Sequence, residues 1–153
     1  MDVRREIVAR LKKSYAMALE SVENYLANSI HLEGTPAGPL KDALENALNS
    51  ELKHARRLAK RIKILDGSVP GSLALPRDQN YLQPPADSHD PLTVIYGALK
   101  AIDSAIANYK ATMQITESLD YVTQDLLIEL LAEEQHQRGW FNQLLTPFSM
   151  DSR

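Results

Sequence analysis

Apolar residues in the first part of the chain recur at steps of three and four: Val3, Ile7, Leu11, Tyr15, Ala18, Val22, Tyr25 and Ile30. That period is the signature of a long amphipathic helix. It predicts a first helix over residues 2–33, with Asp2 placed to cap its start and Gly34 its end. The stretch Thr35-Pro36-Ala37-Gly38 reads as a turn, and Pro39 suits the first position of a second helix over 39–66. Its inward line is Leu40, Leu44, Leu48, Glu51, His54, Leu58, Ile62 and Leu65. A third helix, 91–117, opens with Asp90 as cap and Pro91 in its first turn. It carries Leu92, Ile95, Leu99, Ile102, Ile106, Tyr109 and Met113 on one face. The fourth, 121–146, has Leu126, Leu130, Glu133, His136, Trp140 and Leu144, and Pro147 is expected to end it.

The segment between the second and third helices differs in kind. Residues 67–90 hold prolines at 70, 76, 84 and 85 and show no helical period. A loop of that length is unusual inside a compact domain, and it is long enough to run the length of a bundle. The expected fold is therefore all-α: one domain over residues 1–153, a four-helix bundle built from two helical hairpins joined by a long crossover.

Composition narrows the possibilities without choosing among them. The chain of 153 residues is 44% hydrophobic and 24% charged, ordinary values for a soluble globule. Its formal net charge of -3 offers no global basic field, so neither nucleic acid nor an anionic membrane is expected as a partner. There is no cysteine, which removes disulfides, thiolate metal sites and cysteine nucleophiles and fits a reducing, cytoplasmic setting. No segment is apolar for long enough to span a bilayer. The basic run of Lys53, Arg56, Arg57, Lys60, Arg61 and Lys63 reads as a solvated face with favourable charge near a helix C-terminus.

The candidate chemistry lies where the helical pattern demands apolar residues and finds ionisable ones. Glu51 and His54 interrupt the inward line of the second helix, and Glu133 and His136 that of the fourth. Positions i and i+3 lie side by side on a helix, so each Glu-x-x-His presents a carboxylate and an imidazole in one direction. Buried ionisable groups are costly unless paired or bound to metal. Glu134, some 100° around the helix from Glu133, is expected in solvent or in a surface ion pair. The halves of the chain also echo each other. Ser21-Val22-Glu23-Asn24-Tyr25 reappears as Ala105-Ile106-Ala107-Asn108-Tyr109, and Leu48-x-x-Glu51-x-x-His54 as Leu130-x-x-Glu133-x-x-His136. A pseudo-twofold relation between the hairpins would bring both Glu/His pairs to mid-bundle.

These stretches, with Tyr25 to Gly34, Leu58-Ala59-Lys60-Arg61-Ile62 and Asp120 to Leu126, resemble the ferritin-like superfamily, and within it the small bacterioferritin-related and Dps-related proteins. The resemblance covers nearly the whole chain. It implies a dinuclear iron site in which a Glu-x-x-His from each of two helices is joined by a lone Glu from each of the other two. The lone-Glu positions correspond to Ala18 and Ile102, so both terminal carboxylates are missing. Glu20 and Asp103 lie close by in sequence but off the inward line. The metal ligands expected are therefore Glu51, His54, Glu133 and His136, with Tyr25 and Tyr109 as outer donors or core aromatics. That set suits iron, as one or two ions, or else zinc or manganese, with ferroxidase activity weak or absent. The alternative is a metal-free ferritin-like scaffold for dimerisation or partner binding. A homo-oligomer, dimer or larger, follows from the same resemblance, while a DNA-binding cage fits the acidic chain less well.

Overall fold

In the computed structural model, which describes residues 2–151, four long helices form an antiparallel bundle. They are α1 (Val3–His31), α2 (Gly38–Ile64), α3 (Pro91–Thr116) and α4 (Tyr121–Gln143), followed by a short α5 (Thr146–Asp151). There is no strand among the described residues. α1 pairs chiefly with α2 and α3 with α4, so each hairpin is a unit and the two pack face to face. The start signals act as the sequence implies. Asp2 accepts from the Arg4 N–H at 3.0 Å, and Asp90 from that of Thr93 at 3.2 Å. Asp120 does the same for α4, accepting from the Thr123 N–H at 3.0 Å while Arg61 of α2 reaches the same carboxylate at 3.1 Å.

The fourth helix ends earlier than expected. α4 stops at Gln143, and Pro147 falls in the first turn of α5 rather than after a helix running to residue 146. A proline lacks the N–H that an unbroken helix would need there and clashes with the carbonyl four residues back, but it is well tolerated in a first turn.

The core has two apolar halves. One gathers Tyr25, Leu40, Leu44, Ile95, Ile102 and Phe141. The other gathers Ile7, Leu11, Leu58, Ile62, Leu127 and Leu130. On α2 and α4 the residues between these halves are polar and buried: Glu51, His54, Glu134 and Gln137. The crossover, 65–90, lies along the α1/α3 side and is tied down by α1. Both Glu20 carboxylate oxygens accept backbone N–H groups, from Asp78 and Gln79, each at 2.9 Å. The Gln79 amide donates to Ser21 at 2.8 Å, and the Asn28 amide donates to the Leu82 carbonyl at 2.8 Å. α3 meets the crossover at Gly97, where a Cβ would stand 2.5 Å from the Tyr81 carbonyl oxygen, so only glycine permits that approach.

Candidate metal centre

α2 delivers Glu51 and His54 to the middle of the bundle, 5% and 0% exposed. Opposite them α4 delivers Glu134, fully buried. The His54 Nδ1 atom lies 3.2 Å from Glu134 Oε1 and 3.7 Å from Glu51 Oε2. One donor atom from each of the three residues falls within 4.8 Å of the others. The other ring nitrogen, Nε2, points outward to the half-exposed Glu133 carboxylate and to the Ser50 hydroxyl at 3.3 Å. His54 is thus held from outside by Glu133 while its inner nitrogen faces two buried acids.

One expected placement is corrected. Glu133 and His136 do not both turn inward: His136 is exposed on the outer side of α4, beside Gly139 and Trp140. The inward line of α4 is Leu127, Leu130, Glu134, Gln137 and Phe141, all buried, one residue out of phase with the line read from the sequence. Glu134, expected in solvent, takes the central position, and Gln137 takes the place one turn on. The steps of three and four from Leu127 to Phe141 carried that signal. The Glu-x-x-His spacing at Glu133 and His136 points one residue aside from that line. Ala18 and Ile102 are buried core residues, Glu20 is turned to the crossover, and Asp103 pairs on the surface with Arg138 at 2.7 Å. Tyr25 and Tyr109 are fully buried, and Tyr25 stacks on Phe141 with ring centres 6.2 Å apart.

The electrostatics follow from this crowding. Burial pushes the Glu134 carboxyl well above the ordinary carboxylate range, and the neighbouring Glu51 pushes it further. Burial works against a charged imidazole, yet Glu134 and Glu51 outweigh it and raise His54 from 6.5 to about 10. The hydroxyls of Tyr25 and Tyr109 are held protonated by burial and by the charges of Glu51 and Glu134. Both Glu134 oxygens and His54 Nδ1 are buried without a hydrogen-bond partner, as is the Gln137 amide oxygen. Such orphaned atoms call for an explanation, and a cation is one. Donor separations of 3.2 and 3.7 Å are close to the ~3.3 Å edge of a tetrahedron whose metal–ligand bonds are ~2.0–2.1 Å. The three residues therefore fit one metal ion. Gln137 donates its amide to Asn46 at 2.7 Å, and its neutral oxygen is a weaker ligand than imidazole for zinc or iron.

Comparison with known proteins places this arrangement in context. The family model described as Ferritin-like domain matches residues 8–150. A DNA protection during starvation protein from Pyrococcus furiosus is 28% identical over 152 residues, covering 95% of this chain and 80% of the relative. Among solved structures, the bacterioferritin-related protein of Bacteroides fragilis, described as a dodecameric thioferritin, superposes with a TM-score of 0.84 at 20% identity, covering 99% of this chain and 90% of that one. A ferritin-like diiron-carboxylate protein from Bacillus anthracis gives 0.82 at 20% identity, covering 95% and 99%. The bacterioferritin of Desulfovibrio desulfuricans gives 0.77 at 20% identity, covering 94% and 80%. At these identities the structural likenesses establish the fold alone. No helix among the described residues is long and apolar enough to cross a membrane.

Proposed function

We propose, from the premise that this chain belongs to the ferritin-like domain family, that it binds a single divalent metal ion between Glu51, His54 and Glu134. The observation that carries this reading is the convergence of three buried donors within 4.8 Å, with His54 Nδ1 and Glu134 Oε1 3.2 Å apart outside hydrogen-bonding geometry and Glu134 Oε2 without a partner. Iron is the ion we assign, because the proteins of like fold include a bacterioferritin described by its diiron site and a ferritin-like diiron-carboxylate protein. Zinc and manganese suit the same donors.

A second ion would need ligands that this chain lacks. The α1 and α3 residues beside Glu51 are Ala18 and Ala101, Ile102 lies in the apolar core, and Gln137 stands one turn on from Glu134, so none of them offers a carboxylate or an imidazole. Paired-iron oxidation is therefore weak or absent in this reading. A bound iron would supply one-electron chemistry. The chain's own part is to hold the ion, with Glu133 orienting the imbedded imidazole from outside and Tyr25 and Tyr109 remaining protonated beside the acids. Assembly into a homo-oligomer and a cytoplasmic location belong to the same proposal. They are supported by the apolar residues left exposed on α1 and α2 and by the absence of cysteine.

A metal-free scaffold is the second reading. It is favoured by the electrostatics of the cluster itself: burial and Glu51 favour the protonated form of Glu134, and the two acids favour a charged His54, which together reduce the need for an ion. Elemental analysis after equilibration with ferrous, zinc or manganous ion separates the two. One ion per chain, lost in Glu134→Gln and His54→Gln and retained in His136→Ala, supports the single-ion centre. Two ions per chain would overturn the count, and none would leave the scaffold.

A further inference from the structure

Two hollows on the α1/α3 side meet at one side chain. The outer one is a groove of about 450 Å³ between α1, α3 and the crossover, bordered by Arg10, Lys13, Met17, Asp78, Tyr81 and Asn108 among others. The inner one is a narrow space of about 10 Å³, the size of a single water molecule, bordered by Glu51, Tyr25, Tyr109, Ala18 and Ala101. It exists because alanines occupy Ala18 and Ala101, where longer side chains would fill the α1/α3 seam. The residue common to both hollows is Met17, which is half-buried.

The walls around Met17 are fastened. On one side the Asn108 amide of α3 donates to the Ser14 hydroxyl of α1. On the other the Gln79 amide donates to Ser21 at 2.8 Å. Met17 has no such tie, and an unbranched thioether with three rotatable bonds can swing without disturbing its neighbours. We propose that Met17 is the gate of a passage from the α1/α3 groove to the Glu51 carboxylate, and that the passage admits small uncharged molecules of one or two heavy atoms. The inference deepens the metal reading and rests on it for its purpose: what arrives beside Glu51 is placed to complete the shell of an ion held by three protein ligands.

The chemistry of the route selects against ions. Its mouth carries Arg10 and Lys13, neither of which makes an ion pair among the described residues, against one exposed acid, Asp78. The Glu20 carboxylate at the mouth is already taken up by two backbone N–H groups. Beyond the mouth the lining is the Met17 thioether, the methyl groups of Ala18, Ala101 and Ala105 and the neutral hydroxyl residues Ser14, Ser21, Tyr25 and Tyr109, with no charge until Glu51. A cation would have to shed its water there for a few neutral hydroxyl groups, at a cost that a small neutral molecule does not meet. A cation finds a carboxylate instead on the α2/α4 side, where half-exposed Glu133 touches His54.

The chain has no cysteine, so an introduced one is the sole thiol and reports access directly. The experiment uses the full chain in chelator, with Ala18→Cys as the reporter in the inner hollow and Ala43→Cys, 0% exposed in the core, as the control for global opening. Ala101→Cys replaces Ala18→Cys if that variant does not melt cooperatively. The rate of thiol oxidation by hydrogen peroxide is measured in each. The proposal expects the reporter to react at least about tenfold faster than the control, which opens only by unfolding. Adding Met17→Ala should raise the reporter's rate, and adding Met17→Trp should bring it down to the control's. A reporter no faster than Ala43→Cys would overturn the passage, and a rate indifferent to Met17 would overturn the gate. Because no metal takes part, failure here is distinct from failure of ion binding.

Discussion

His54 and Glu134, contributed by different hairpins, face each other across the middle of the bundle with Nδ1 and Oε1 3.2 Å apart and both side chains fully buried. The contact joins the two halves of the chain through charge rather than through apolar packing. Its energetic character is testable because breaking a buried charged cluster and replacing it have opposite consequences. His54→Leu leaves two buried acids without the imidazole they face and should cost roughly 3–5 kcal/mol in the metal-free protein. Replacing Glu51, His54 and Glu134 together by Leu or Met should restore or exceed the parent stability. Chemical denaturation in chelator measures both. A triple variant as unstable as His54→Leu would mean that the cluster is needed for folding itself.

The same cluster makes the metal-free protein sensitive to alkali. His54 is raised from 6.5 to about 10 in the folded state, so its contribution is complete below about pH 6.5 and is lost as pH climbs through about 10. Glu134 is raised as well, so the folded chain keeps a proton that the unfolded chain releases, and stability again falls with rising pH. Both slopes have the same sign. The melting temperature in chelator should decline by several degrees between neutral pH and pH 10, and the triple apolar variant should lose most of that decline. Saturating metal should flatten it too, because bound ligands are deprotonated. A metal-free melting temperature that is level across this range would contradict the buried imidazolium.

How far the sequence discloses this centre depends on the helix. On α2 the line Leu44, Glu51, His54, Leu58 and Ile62 has a strong apolar frame, and Glu51 and His54 lie where it puts them. On α4 the frame is ambiguous. Leu126, Leu127, Leu130 and Leu131 cluster together, Ile128 is exposed, and Trp140 and Phe141 are adjacent. From Leu130, positions 133 and 134 both fall in the next turn on either side of the line, and only the long run to Phe141 decides for Glu134. The caps at Asp2, Asp90 and Asp120 are local signals. The anchoring of the crossover by Glu20 and Asn28 is not local. It joins residues more than fifty positions apart, and no periodicity in α1 announces it.

The crossover's seat on α3 gives a sharper prediction. A Cβ at Gly97 would meet the Tyr81 carbonyl oxygen at 2.5 Å and the Leu82 side chain at 3.3 Å. A carbonyl in an anchored segment yields less readily than a side-chain end, so Gly97→Ala should destabilise the protein by ~1–3 kcal/mol despite alanine's better helix propensity. The damage should be local at first. Hydrogen exchange should quicken over residues 78–83 before it does in α2 or α4. Unchanged exchange there would show that α3 shifts as a whole to make room.

Assembly is tested on the outer face of the first hairpin. α1 leaves Leu26 and Ile30 exposed one turn apart, at 52% and 74%, and α2 leaves Leu52 exposed at 45%. Single exposed apolar residues are common, but a pair one turn apart on the same helix face is a surface suited to a second copy of this chain. Leu26→Lys with Ile30→Glu should not unfold the bundle, because neither side chain belongs to the core, and its melting should stay cooperative. Light scattering should find the parent chain above monomer mass and the double variant at a lower state, with the metal content per chain unchanged because the centre lies inside one bundle. A double variant that keeps the parent mass would move the interface elsewhere, to the exposed Leu119, Tyr121 and Val122 at the other end of the bundle.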